Sequence, residues 1–340
     1  MTMKSRFTNF INRVKQLFSA KSKPIPAEAP LTIDESRLGE WKKHVFIAPA
    51  FNEQQLVTKL DYYIYTPSIT ETRPSTSGMP LVVMLHGCTQ NATAFAEGTK
   101  MNQLAEREGF VVLYPQQSIS YNLGKCWRWY DLDESQGMAE AHSIMKIIQS
   151  AIMMHDLDPS KIFVAGMSAG AGLASILAAS YPEEVRAVAL HSGPMLAKAN
   201  SMKSGINLLK HGFNGSDEEL MSCLERFTLK KSHTVPAILF QGMNDDVVHS
   251  DNATALIKQF LYLNNLTLDS KASTSKHLTG TDQEYTLIEY KDNNKSTVVE
   301  VVKVKNLPHA WSGGDRKHPF NSDKGPQASQ IIWDFFKNTF

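Results

Sequence analysis

The sequence predicts an α/β fold, a mostly parallel, doubly wound sheet with helices on both faces. Three observations carry that prediction. Short apolar runs, of the kind shown by parallel strands covered on both sides, alternate along the chain with helical stretches. Several of the runs end in turn residues, Gly87 after Leu85 and Pro115 after Tyr114 among them. One run, Lys161–Ala165, leads through Gly166-Met167-Ser168-Ala169-Gly170 straight into the small-residue helical stretch Ala171–Ala178.

Taken in order, Leu60–Thr66 alternates as an early strand, and Pro80–Leu85 is a short buried run that ends in His86-Gly87. Thr93–Glu108 reads as one helix, Gly109–Pro115 as a strand with its stop, and Ala139–His155 as a long helix. Val185–Leu190, Ala237–Phe240 and Val298–Val304 supply later strands, and Gln327–Phe340 a closing helix. Two segments interrupt the alternation. Asn200–Pro236 is polar and partly helical, suited to lie over a site as a small cap, and Leu263–Asp282, rich in Ser, Thr and Lys, reads as a mobile loop. Beyond it, Glu284–Lys291 and Ser296–Lys303 flank Asp292-Asn293-Asn294, a hairpin signal.

The Gly-x-Ser-x-Gly stretch stands between a strand and a helix, the setting in which such a serine is a nucleophile. A tight strand-to-helix turn tolerates little side-chain bulk, so Gly166 and Gly170 suit it, and the helix N-terminus aims free N–H groups at an anion formed there. A nucleophilic Ser168 needs a base, and the base needs an acid to orient it. In the α/β-hydrolase arrangement these follow the serine in the order acid, then histidine, on loops after later strands. Asp245 sits three residues past Gly242 at the end of the 237–242 run, with the adjacent Asp246 as the alternative. His309, in Pro308-His309-Ala310-Trp311, follows both the acid and the last strand. His318 lies further into a charged loop, His249 is too near Asp245 to come from a separate loop, and His191 and His155 read as structural. The oxyanion donors are expected from Ala169, just after the nucleophile, and from Cys88 in the loop after the 80–85 strand. A thiol nucleophile at Cys88 has no elbow behind it. No His/Cys/Asp cluster has ligand spacing and no Gly-Lys phosphate loop is present, so no metal or organic cofactor is implied.

Four motifs together, His86-Gly87-Cys88-Thr89-Gln90, Cys126-Trp127-Arg128-Trp129, Gly166–Gly170 and His309-Ala310-Trp311-Ser312-Gly313-Gly314, resemble the polyhydroxybutyrate (PHB) depolymerase family of esterases, which includes feruloyl and acetyl-xylan esterases. The resemblance runs from about Leu60 to Phe340. It implies an α/β-hydrolase fold, a triad of Ser168, Asp245 and His309, and oxyanion positions at Cys88 and Ala169. It also implies a serine esterase acting on short hydroxyalkanoate esters or oligomers, with feruloyl or acetyl-xylan esters as the alternative; the rival from another class is a non-catalytic binding protein on a hydrolase scaffold. Arg128 between the tryptophans and Ala171 depart from the family pattern. Trp127, Trp129 and Tyr130, with Trp311, are candidate substrate-binding residues, since aromatic faces suit an aliphatic ester backbone or a ferulate ring. At least one of these tryptophans is expected to be core packing. The loops of Cys88 and Cys126 belong to one end of the sheet, so a bridge between them and three reduced thiols, counting Cys223, are both open.

At 340 residues there is room for one large α/β domain with insertions, and a net charge of +1 argues against bulk attraction to nucleic acid. No apolar stretch approaches the roughly 18 residues that span a bilayer. Within residues 1–24, Phe7, Phe10, Ile11, Val14, Leu17 and Phe18 fall on one helical face among Lys4, Arg6, Arg13, Lys15, Lys21 and Lys23. Such a basic amphipathic helix has three readings: residues 4–23 lying on a membrane or polyester-granule surface, a targeting segment, or a helix docked on the protein's own body. Charges at Arg13 and Lys15 break the core a cleavable signal needs, so a cytoplasmic or surface-associated location is expected, with export the alternative. Pro26 and Pro30 mark a linker over 25–45, which leaves 46–340 as the esterase domain with insertions near 200–236 and 263–282.

Overall fold

A computed structural model describes residues 39–48, 56–68, 75–230 and 233–340 of the chain. The basic stretch 1–24 and residues 25–38 of the expected linker lie outside the described residues. The strands are β1 (Glu40–Ile47), β2 (Lys59–Thr66), β3 (Leu81–Leu85), β4 (Val111–Gln116), β5 (Ile162–Met167), β6 (Ala187–His191), β7 (Ala237–Gly242), β8 (Ala272–His277), β9 (Tyr285–Lys291) and β10 (Thr297–Val304). The helices are α1 (Ala92–Thr99), α2 (Met101–Glu108), α3 (Gly137–His155), α4 (Ala169–Ser180), α5 (Met202–His211), α6 (Asp217–Ser222), α7 (Ser250–Leu263) and α8 (Ala328–Lys337).

All ten strands form one sheet in the order β1-β2-β4-β3-β5-β6-β7-β10-β9-β8. From β4 to β10 every neighbouring pair is parallel, and antiparallel pairs extend the sheet at both edges. Every residue of β3, β5, β6 and β7 is buried, because a parallel centre is covered on both faces. Alternation then sorts the side chains. Leu81, Val83, Val164 and Val188 share one core with α3, α4 and α7, while Val82, Met84, Phe163 and Ala165 share the other with α1, α2 and α8. This is an α/β-hydrolase fold.

The fold departs from the sequence-based expectation at places with identifiable causes. The single helix expected over 93–108 is two, because Lys100 adopts a left-handed conformation with φ 58°. The break releases the carbonyls of Gly98 and Thr99, which accept from the Asp315 N–H at 2.8 Å and the Ser329 hydroxyl at 2.7 Å. β1 occupies part of the expected linker, yet it pairs with β2 from Glu40↔Thr66 to Ile47↔Lys59, so the domain begins before residue 46. As an edge strand with charged Glu40, Lys42 and Lys43, it carries no buried-strand signature. α7 has no clear periodicity in the sequence, since buried polar residues interrupt its apolar face. The Asn252 amide donates to the Leu208 carbonyl at 2.9 Å, and Gln259 bonds both the N–H and the carbonyl of Leu196. β8 replaces part of the expected 263–282 loop, held to β9 by backbone pairing while its side chains stay largely exposed. The 200–236 segment folds as α5, α6 and a 3₁₀ turn, and Leu208, Leu220, Leu224 and Phe227 join the core shared by α3 and α4.

At the end of β5 the backbone leaves the sheet through Ser168, with φ 56° and ψ −120°, into the first turn of α4. A Cβ on Gly166 would stand 2.3 Å from the Gly170 carbonyl oxygen, and one on Gly170 would stand 2.0 Å from that of Leu85. Both glycines are therefore required by contact, and Gly170 sets how closely α4 approaches the end of β3. Gly170→Ala is expected to cost about 3 kcal/mol or more, because the obstructing atom is backbone and cannot swing away. A denaturant midpoint within error of wild type would contradict this.

Candidate active site

The carboxyl ends of β3, β5, β6, β7 and β10 bring the loops after them to one edge of the sheet. Ser168 follows β5, with its N–H donated to the His191 carbonyl at the end of β6 at 2.9 Å. Asp245 follows β7 and His309 follows β10, and these two loops are sewn together. The Met243 N–H bonds the Val304 carbonyl at 3.0 Å, and the Asn244 N–H bonds that of Leu307 at 3.0 Å. Gly242 permits the approach, since a Cβ there would meet the Leu307 oxygen at 2.3 Å.

This places the Asp245 Oδ2 and His309 Nδ1 atoms 2.9 Å apart, with the two side chains 0% and 4% exposed. The other carboxylate oxygen, Oδ1, accepts the N–H groups of Val247 at 3.0 Å and Val248 at 2.9 Å. Burial pushes the Asp245 carboxyl up, but the His309 charge and hydrogen bond, with the two backbone donors, hold it below its ordinary value. A carboxylate anchored on one oxygen and presenting the other to Nδ1 leaves Nε2 as the free ring nitrogen of His309. Asp246, beside it, is exposed.

His191 lies between the serine and the other two loops. Its ring is stacked on Phe240 at 5.3 Å and on Trp311 at 5.0 Å between centroids, and its Nε2 accepts the Ser312 N–H at 3.3 Å. Burial first, then the nearby His309, lowers its pKa to about 3, so the ring is neutral and can accept. It thereby tethers the loop that carries His309. Of the other histidines, His249 caps α7 by accepting the Asp251 N–H, His155 ends α3, and His318 faces Glu97 at 3.5 Å.

The loop after β3 lies against the elbow: a Cβ on Gly87 would sit 3.4 Å from Ser168 Cβ. Neither the Cys88 nor the Ala169 N–H has an acceptor among the described residues. Cys88 and Cys126 form a disulfide, and Cys223 is the free thiol. The Thr89 N–H bonds the Gly124 carbonyl at 2.6 Å, and Trp127 Nε1 donates to the His86 carbonyl at 3.0 Å. His86 is fully buried, and that burial lowers its pKa to about 4.

The candidate substrate-binding aromatics are placed differently from one another. Trp127 is 0% exposed with its N–H spent on His86, and Trp311 is buried between His191 and Phe95 with its N–H on the Ser329 hydroxyl. Neither presents a face to a ligand, which corrects that expectation; their polar atoms serve the loops instead. Trp129 is also buried, wedged where a Cβ on Gly172 would strike it, and Tyr130, half-buried, packs edge-on against it where a Cβ on Gly205 would strike. Two further buried residues, Glu140 and Gln117, have no motif to mark them in the sequence. Glu140 is fully buried, and burial raises its carboxyl to about 7 against the pull of the Arg128 N–H and the Gln117 amide. The one signal is an acid set among Met138, Ala139, Ala141 and Ile144 of α3.

A model of the family described as esterase PHB depolymerase matches residues 60–284, a span that includes Cys88, Ser168 and Asp245 and ends before His309. The chain is 30% identical over 239 residues to poly(3-hydroxyalkanoate) depolymerase C of Paucimonas lemoignei, covering 68% of this chain and 56% of that protein. It is 35% identical over 159 residues to probable acetylxylan esterase A of Aspergillus fumigatus, covering 45% and 39%. With feruloyl esterase B of Neurospora crassa the identity is 26% over 248 residues, covering 70% and 80%. The chain thus spans 56% and 39% of the first two relatives. Among solved structures, an acetyl xylan esterase from Aspergillus awamori superposes with a TM-score of 0.68 at 19% identity, covering 88% of this chain and all (100%) of that one, a likeness of fold.

The buried neutral state of His191 has a consequence for acid stability. An unfolded chain protonates this ring near its ordinary value of about 6.5, whereas the folded chain resists protonation down to about 3. The stability is present above the unfolded value and drains as pH falls through that window. His191→Gln does not titrate, so the melting-temperature gap between wild type and this variant is expected to narrow from pH 7 to pH 4. A constant gap over that range would refute the assignment.

Proposed function

Because the chain belongs to the PHB depolymerase family of esterases, we propose that it hydrolyses carboxylic esters through an acyl-enzyme on Ser168. In this reading His309 Nε2 takes the proton of the Ser168 hydroxyl as Oγ adds to the ester carbonyl. Asp245 holds the imidazole by Nδ1 and stabilises the imidazolium. The N–H groups of Ala169 and Cys88 receive the oxyanion of the tetrahedral intermediate. His309 returns its proton to the leaving alcohol, and a water molecule, deprotonated in turn by His309, releases the acid and restores the serine. The observation that carries the reading is the buried Asp245–His309 hydrogen bond at 2.9 Å together with the strained Ser168 elbow, linked through His191, whose carbonyl takes the Ser168 N–H and whose ring takes that of Ser312.

For substrate, the reading is a short hydroxyalkanoate ester or oligomer. Ile119 and Leu123 are 58% and 53% exposed on the segment whose Gly124 carbonyl takes the Thr89 N–H, and Met243 is exposed two residues before Asp245. Apolar side chains so near the oxyanion loop and the acid favour an aliphatic acyl chain. The second reading, an acetyl or feruloyl ester of a polysaccharide, is supported by the similarity to acetylxylan and feruloyl esterases.

Ser168→Ala is expected to lower turnover of p-nitrophenyl esters by about 10³-fold or more with the fold intact, and to abolish labelling by a fluorophosphonate. Near-wild-type turnover in that variant would refute the mechanism. Run side by side, 3-hydroxybutyrate oligomers, acetylated xylan and methyl ferulate separate the substrate readings; preference for either of the last two would put the polysaccharide ester first. Asp245→Asn is expected to cost on the order of 10³-fold in kcat, since an imidazole in the wrong tautomer accepts the serine proton poorly. Asp246→Asn should stay within about threefold of wild type, as a solvated side chain away from the imidazole. The reverse ranking would move the acid to Asp246.

A further inference from the structure

The oxyanion loop is gripped from behind by two segments of chain, and one buried side chain grips both. Residues 116–118, at the end of β4, reach the loop when the Gln117 N–H donates to His86 Nε2 at 3.1 Å. His86 in turn places Nδ1 2.8 Å from the Gly87 carbonyl, so the neutral tautomer with hydrogen on Nδ1 satisfies both contacts. Residues 124–128 reach the loop through the Cys88–Cys126 disulfide, the Thr89–Gly124 bond and the Trp127 indole on the His86 carbonyl. Glu140, on α3, spans the two. Its Oε1 accepts the Gln117 side-chain amide at 2.5 Å, and its Oε2 accepts the Arg128 N–H at 2.7 Å. The same Gln117 amide lies 3.3 Å from the Cys126 carbonyl, and the Gln117 Oε1 takes the Ser118 N–H at 2.9 Å, which fixes the orientation of that amide.

A carboxylate suits this place for a reason of inventory. Both of its oxygens face donors, and an ionised carboxylate is acceptor-only. A glutamine would turn an NH₂ toward either the Arg128 N–H or the Gln117 amide. Reorienting Gln117 to relieve the second conflict would strip the Ser118 N–H of its acceptor. A full carboxylate in a site this dry is costly, and its two hydrogen bonds run to the segments that fix Gly87 and Cys88 rather than to any ion partner.

We propose that Glu140 is a positioning residue for the oxyanion donor: by clamping Gln117 and Arg128 it sets where the Cys88 N–H points. The inference rests on the esterase reading and adds to it a group that never touches substrate. Loss of the clamp acts on the transition state, where a donor displaced by a fraction of an ångström no longer meets the developing charge. Removing an oxyanion donor outright costs on the order of 10²–10³ in kcat. Misaiming one through Glu140→Gln is expected to cost about 10- to 100-fold in kcat, with KM within about twofold.

The test compares wild type with Glu140→Gln on an ester and on its thionoester analogue, in which C=S replaces C=O. Sulfur is a poor hydrogen-bond acceptor, so an intact oxyanion site favours the oxygen ester strongly. The expected result is a fall in kcat on the oxygen ester, a smaller fall on the thionoester, and hence a reduced preference between them, with the circular dichroism spectrum retained. A kcat within twofold of wild type, or equal losses on both substrates, would overturn the proposal. Should Glu140→Gln fail to fold, Gln117→Met severs the same link while keeping the Glu140–Arg128 bond and the Gln117 N–H, and the same criteria apply to it. Ser168→Ala run in parallel tells the two failures apart. Turnover surviving in that variant sinks the esterase reading and this proposal with it. An inert Ser168→Ala beside an unchanged Glu140→Gln sinks only the proposal.

Discussion

Backbone meets backbone without side chains between at two points on the carboxyl edge of the sheet, and the rest of the site is arranged around them. At Gly170 the first turn of α4 comes so close to β3 that a Cβ would lie 2.0 Å from the Leu85 oxygen. At Gly242 the end of β7 comes so close to the loop after β10 that a Cβ would lie 2.3 Å from the Leu307 oxygen. The first contact brings the loop of Cys88 against Ser168; the second brings His309 within reach of Asp245. A sheet whose strands lie about 4.8 Å apart spreads such residues over several strand widths. Glycine at the two contacts lets the loops close that distance.

Electrostatics then divides the edge into groups that stay neutral and groups that stay charged. His86 and His191 are both fully buried and driven down to about 4 and about 3, which leaves each ring with one accepting nitrogen for a backbone N–H. Asp245, also enclosed, is held in its charged form by the His309 charge and by hydrogen bonds that outweigh its burial. Glu140 sits between these cases, raised to about 7 by burial yet met on both oxygens by N–H groups. Neutral histidines carry loops, and anchored carboxylates orient other groups. Ser168 and His309, the residues to which the proposed mechanism gives the chemistry, follow β5 and β10, on loops bonded to His191 through its carbonyl and its ring.

Much of this is legible in the residues themselves. The elbow announces itself because steric need restricts positions 166 and 170 to glycine, and the central strands because burial on both faces demands unbroken apolar runs. The parts that escape such reading share a physical cause: their stability comes from partners distant in sequence. β1 and β8 are edge strands held through backbone pairing, which leaves no pattern in side chains. α7 hides behind Asn252 and Gln259, polar residues whose partners lie at 208 and 196. Trp127 and Trp311 look like ligand platforms in sequence, but their indole N–H groups have internal acceptors that only the fold reveals. Glu140 is the same case in reverse, a buried acid whose hydrogen-bond partners, Gln117 and Arg128, come into view only in the fold.

The break between α1 and α2 has a consequence in time. The carbonyl that it frees at Thr99 is taken by Ser329, 230 residues later, and the Gln90 amide in the loop after β3 reaches the Pro319 carbonyl across 229 residues. Such closures are entropically slow and arrive after the local elements have formed. As the chain leaves the ribosome, the elbow, β3 and the loop after it can all be in place while the segment that carries His309 is still unsynthesised. On the proposed mechanism the nascent chain would then hold its serine without the base, and hydrolytic competence would arrive only with this late closure.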